Sequence, residues 1–164
     1  MAGYGERVFG LRDVKLTNRA GTTQVDLQDG QTLGLTERVT SGELRGDDVT
    51  KAVVTFSDAW EVAMESGGII PLAAYALITG RTASESGTTP SQTNTLEADA
   101  PETFPYFKIY GKSLGDESDD VHVKLGKCKL TAALEGSLAD GEFFVTSLTA
   151  VCIADADDGD KAME

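Results

Sequence analysis

Apolar and polar residues alternate along most of this chain, in stretches broken by Gly, Asp and Pro. A period of two marks half-buried strands, so a mainly β protein is predicted rather than a helical bundle. Strands are expected near 7–17, 22–27, 31–41, 50–65, 104–113, 121–135 and 142–153. A short one is expected around Gln92 to Glu97, inside an otherwise Ser/Thr/Pro-rich loop over 80–103. One run breaks the alternation. Pro71 to Thr79 is rich in helix formers, with Pro71 suited to the first turn and Gly80 to the position just past the end. Leu72, Tyr75, Ala76 and Thr79 fall on one side of that helix, and Ala73, Leu77 and Gly80 on the next. A helix this apolar is expected to be covered on both sides, across a sheet or between subunits.

Two hairpins follow from the pattern. In the first, 42–49 reads as the turn, with Ser41 opposite Thr50, Leu35 opposite Phe56 and Val39 opposite Ala52. One face then gathers Thr32, Gly34, Thr36, Arg38 and Thr40 with Lys51, Val53, Thr55, Ser57 and Ala59, and Glu61 and Glu65 prolong it. Phe56, Trp60, Val62 and Met64 fall on the apolar side and read as core; Glu37 and Asp58 intrude there without a sequence-level reason. In the second hairpin Ala139-Asp140-Gly141 makes a three-residue turn. Cys128, Leu130, Ala132 and Leu134 then share a face with Phe144, Leu148, Ala150 and Cys152, and Cys128 lies directly opposite Cys152. Val121, Val123 and Leu125 have the opposite parity, which predicts a bulge at or near Gly126.

Size and charge narrow the possibilities. The 164 residues suffice for one domain, assigned to 1–153, followed by a small acidic tail over 154–164, expected to be mobile or ordered by a partner. At this length about 70% of the unfolded surface is buried on folding, so no staple is required. A formal charge of -13 repels phosphate backbones and anionic lipid, which disfavours tight nucleic-acid or membrane binding. The longest apolar run, Ile69 to Ile78, is too short to span a bilayer, and no signal peptide is expected from Met1 to Gly5.

The chemical vocabulary is thin. The single histidine, His122, sits in a strand pattern without a local nucleophile and reads as a surface or edge residue. The run Asp155 to Asp160 resembles part of a calcium loop, but its Gly falls at the fifth position and the chain ends before a twelfth-position Glu. It reads as solvated acid, as does Asp116 to Asp120. Cys128 and Cys152 are expected as buried reduced thiols, with a disulfide as the alternative. No enzyme, cofactor or metal site is expected.

Several segments, in order, resemble major tail tube proteins of long-tailed bacteriophages. They are Phe9 to Leu16, Gln31 to Leu33, Ser41 to Asp48, Glu65 to Ile69 with the helix that follows, and Ser86 to Pro90. Pro105 to Lys108, Asp120 to Val123 and Asp140 to Phe143 extend the likeness, which covers the chain from Phe9 to the region of Ala150. The resemblance implies a β-sandwich or rolled barrel with one flanking α-helix and a long extended hairpin. It implies a virion structural protein assembled in the host cytoplasm. Hexameric rings would stack into a hollow tube that houses tape measure protein and conducts DNA, and that meets other tail proteins. The long hairpin would supply the lumen wall, with Thr32, Thr36, Arg38, Thr55, Ser57 and Glu61 facing the channel. Gly42, Glu43, Arg45, Asp47 and Asp48 would meet the next ring. The alternatives are a tail terminator or completion protein of related fold, or a carbohydrate-binding β-sandwich. The last needs exposed aromatics on a sheet face.

Overall fold

The structure is a computed structural model that describes residues 9–27, 30–47, 49–67, 71–97, 103–114, 121–132, 135–137, 140 and 145–158. Its strands are β1 (Phe9–Asn18), β2 (Gln24–Leu27), β3 (Gly30–Gly46), β4 (Val49–Gly67), β5 (Thr82–Ser86), β6 (Thr93–Glu97), β7 (Phe107–Leu114), β8 (His122–Leu130), β9 (Glu135–Ser137) and β10 (Val145–Cys152). The helix α1 (Leu72–Thr79) follows β4, and a 3-10 turn (Ala156–Asp158) follows β10. One antiparallel sheet runs in the order β2-β1-β7-β8-β10-β4-β3, β9 pairs with β10, and β5-β6 form a separate hairpin. The mainly β class holds.

The sheet rolls on itself. β3 and β7 have three strands between them in the sheet order, yet a Cβ added at Gly111 of β7 would lie 2.9 Å from Leu33 of β3. Only a residue without a side chain lets the two walls approach that closely. The resulting interior is filled by Val14, Leu16, Phe107, Ile109, Leu125, Leu148, Val62 and Met64, all at most 2% exposed. Each such side chain contributes about 1.5–3 kcal/mol relative to exposure, so this layer carries the fold.

The helix forms where the pattern places it. Pro71 caps it from outside (φ -52°, ψ 138°), and the Tyr75 amide donates to the Pro71 carbonyl at 3.0 Å. Gly80 ends it at φ 75°, its N–H donating to the Ala76 carbonyl at 2.8 Å. The buried line is Ala74 and Ile78 with Thr79, not either of the two faces expected, because α1 touches strands on both sides (β1, β2, β5, β6 and β8).

The second hairpin keeps its expected register. Cys128 faces Cys152 and Leu130 faces Ala150. The two cysteines are joined in a disulfide, which corrects the expectation of reduced thiols: opposite positions on neighbouring strands bring the sulfurs together in a fully buried layer. The bulge near Gly126 is present, since Phe107 pairs with Cys128 but Ile109 pairs with Leu125. Ala132 is exposed rather than on the buried face, because β8 ends at Leu130; Leu134, Phe144 and most of the turn lie outside the described residues.

The acidic end starts differently from expectation. Asp155 is fully buried and accepts a hydrogen bond from Arg19 at 3.2 Å, and Asp157 accepts from the same guanidinium at 2.8 Å. A paired buried carboxylate holds the start of this segment on the body, so Asp155 is not solvated acid, whereas Asp157 is exposed as expected. Residues 159–164 lie outside the described residues.

Candidate assembly interface

The hairpin β3-β4 divides into a root and an arm. At the root, Leu33 faces Met64 and Leu35 faces Val62, and Val62 and Met64 are core residues. Ala59, 1% exposed, is the last buried residue of β4 on the way out. Beyond it, every residue from Thr36 to Arg45 and from Val49 to Asp58 is exposed. Ten residues of strand reach about 33 Å, so the arm projects well past the body.

The register of this hairpin differs from the expected one. Ser41 faces Thr55 and Leu35 faces Val62, and the ladder continues to Gly46 opposite Val49. The strands thus run on through most of the span where a loop over 42–49 was expected, and Asp47 is the described turn residue. Asp47 sits at φ 53°, the positive value that the first loop position of a two-residue hairpin demands. Asp tolerates that region better than most residues. The tip charges are satisfied along the arm itself: Arg45 pairs with Glu43 at 3.1 Å, and Lys51 with Asp47 at 3.0 Å.

A bulge then redistributes the faces. Arg38 faces Ala59 but Val39 faces Ser57, leaving Asp58 as the extra residue of β4. Directly opposed residues share a face. Root-side, Thr32, Thr36, Arg38 and Glu61 therefore do lie together, with Gly34, Ala63 and Glu65, on the side away from the core. Thr55 and Ser57 do not join them. They sit with Val39 and Ser41 on the opposite side, while Phe56, Val54 and Leu44 take the same side as Arg38. The expected core position of Phe56 fails for the same reason, and this residue is 55% exposed. Gly42, Glu43, Arg45 and Asp47 all lie on the arm toward its tip; Asp48 is outside the described residues.

Asp58 and Glu37, the two intruders, now have a place. Glu37 faces Trp60 from an exposed position. Asp58 accepts hydrogen bonds from Arg38 Nε at 3.1 Å and from its terminal nitrogen at 2.7 Å. That bond, foremost, holds the Asp58 carboxyl below its ordinary range and raises Arg38, with Glu61 adding a smaller push on the arginine. The bulge is clamped by its own ion pair.

Elsewhere the chemistry is sparse. His122 is exposed and faces Lys112. A half-open groove of about 520 Å³ runs along β1 and β2, lined by Leu11, Val14 and Leu27 with the Lys15–Asp26 pair. No cluster able to hold a metal ion occurs among the described residues.

Exposed apolar area is concentrated on the arm. Val39, Leu44, Val49, Val53, Val54 and Phe56 are 52–65% exposed, on both sides of a ribbon. Among the described residues, β3 has an open outer edge, and β4 meets β10 only from Trp60 to Gly67, so from Val49 to Ala59 it too has an open edge.

No family model matches the chain, and no curated protein matches it. Among solved structures, it aligns with a chain of the six-fold symmetrised cryo-EM structure of the anti-feeding prophage baseplate. The alignment covers 92% of each chain at 14% identity, with a TM-score of 0.43.

Proposed function

We propose that this chain is a structural subunit that assembles with copies of itself into stacked hexameric rings, forming a hollow tail tube through which DNA passes. The observation that carries this reading is the arm. A ribbon with both backbone edges open and large apolar side chains on both faces is an aggregation hazard in a lone molecule, and pairing the edges around a closed ring removes it. The sequence resemblance to tail tube proteins supports the same reading.

In this assembly the root of the hairpin supplies the channel wall. Thr32, Thr36 and Glu61 offer phosphates no cation to grip, and the one cation of that face, Arg38, is neutralised by Asp58. Past the bulge the arm leaves the wall, and Leu44, Val54 and Phe56 bury against a neighbouring subunit, with Glu43, Arg45 and Asp47 meeting the next ring. Tape measure protein and DNA occupy the lumen without tight binding. Negative-stain microscopy of the purified chain tests the reading. Rings or tubes with an open centre are expected, and a monodisperse monomer at high concentration in every salt condition would overturn it.

A further inference from the structure

The cations of this acidic chain are not spread evenly. Lys108, Lys112, Lys124, Lys127 and Lys129 are five of its 14 basic side chains, and all stand on the adjacent strands β7 and β8. Phe107 and Cys128 are fully buried and face each other, so their neighbours Tyr106, Lys108, Lys127 and Lys129 point outward together. The ammoniums of Lys127 and Lys129 converge on a single ring, 5.0 and 5.1 Å from the centroid of Tyr106. Neither meets a carboxylate among the described residues. The nearest acids in sequence on the adjoining chain end, Asp155 and Asp157, are engaged by Arg19.

Two ammoniums held within about 5 Å of one ring centroid gain from the ring quadrupole but keep their charge uncompensated by any carboxylate among the described residues. A carboxylate arriving at this face supplies the missing countercharge and accepts charge-assisted hydrogen bonds from the lysines. We propose that the Tyr106–Lys127–Lys129 face is a docking surface for carboxylates of a second copy of this chain. The inference rests on the self-assembly reading and names a contact that reading does not contain. Charge complementarity selects the occupant. With 27 acidic side chains, a second copy presents carboxylates that meet no cation among its own described residues, among them the exposed Glu37 on the arm and Glu97 on β6. A polyanion such as duplex DNA is disfavoured by the net charge of -13.

The test compares the concentration needed for assembly, by sedimentation, for the wild-type chain and three variants. Lys127→Gln with Lys129→Gln removes the charges. Lys127→Arg with Lys129→Arg keeps them. Ser84→Glu with Thr93→Glu, on the exposed β5-β6 hairpin, changes net charge by the same amount elsewhere. The Gln pair is expected to need about five- to tenfold more protein at about 0.1 M salt. That gap should close to under about twofold at about 1 M salt, where the Debye length is about 3 Å. The Arg pair should assemble as wild type, and the Glu control should stay within about twofold of it. A gap that persists at high salt, an equal loss in the Glu control, or an unaffected Gln pair would each overturn this docking surface alone. So would duplex DNA binding that the Gln pair loses while assembling normally. A wild-type chain that never assembles would overturn the tube reading and this contact together.

Discussion

Root and arm of the β3-β4 hairpin belong to the same two strands and one hydrogen-bonded ladder, yet they obey different rules. At the root, alternation means inside against outside: Val62 and Met64 are buried while Glu61 and Glu65 are exposed. On the arm, alternation sorts residues between two solvent-facing sides, and both sides carry valines. An apolar residue at the root serves the subunit fold. An apolar residue on the arm serves only what the arm touches.

Substitutions that separate folding from assembly sharpen that contrast. The largest effect is expected at the root, where Met64→Ala should destabilise the isolated subunit by about 2–5 kcal/mol, read from denaturant unfolding. Phe56→Asp on the arm should leave that unfolding curve within about 0.5 kcal/mol of wild type while abolishing rings in the microscope. A destabilised Phe56→Asp subunit would erase the distinction between the two regions. At the boundary, deleting Asp58 restores a regular ladder and removes the partner of Arg38. The subunit should fold, with altered tube diameter or no tubes, because the bend is lost.

Smaller effects concern charge. Because Arg38 depresses the folded pKa of Asp58, the clamp is fully formed above the ordinary Asp range and persists through about pH 3.9. It is lost as pH falls further, through the depressed value, so an NMR titration of the Asp58 carboxyl should show a midpoint below that of a model Asp. Arg38→Ala should return the midpoint to the ordinary range. Glu61→Lys is expected to leave tubes intact and slow DNA ejection, more at low salt than at high salt. An ejection rate unchanged at low salt would remove the electrostatic part of the channel argument.

The same contrast explains what was legible in the sequence. The helix from Pro71 to Gly80 and the register that sets Cys128 opposite Cys152 were readable because local signals and one buried face fix them, whereas the disulfide between them was not expected. Register is strongly specified where a slip would expose a core, as at Leu130 opposite Ala150. On the arm no such penalty exists within one chain, and Gly42, Glu43 and Arg45 read as a loop although they lie in strand. The bulge escaped for another reason. Its clamp joins Arg38 to Asp58, 20 positions apart, and no local pattern announces an ion pair across a ladder. The polar face of the hairpin was therefore half legible: Thr32, Thr36, Arg38 and Glu61 stay together, and Thr55 and Ser57 leave once the extra residue is counted.

The bare two-stranded ladder of the arm has a kinetic consequence. A ribbon of only two strands, with no third strand or layer against it, is marginally stable in water. Its outer ladder therefore opens and closes on its own, far below the free energy of global unfolding, and amides over 39–57 should exchange hydrogen much faster than those over 60–66. In the proposed assembly the backbone entropy of the arm is surrendered at first contact with another subunit, and an end already ordered offers a template to the next arrival. Growth is then slow to start and fast to continue, with a lag that preformed tube fragments abolish.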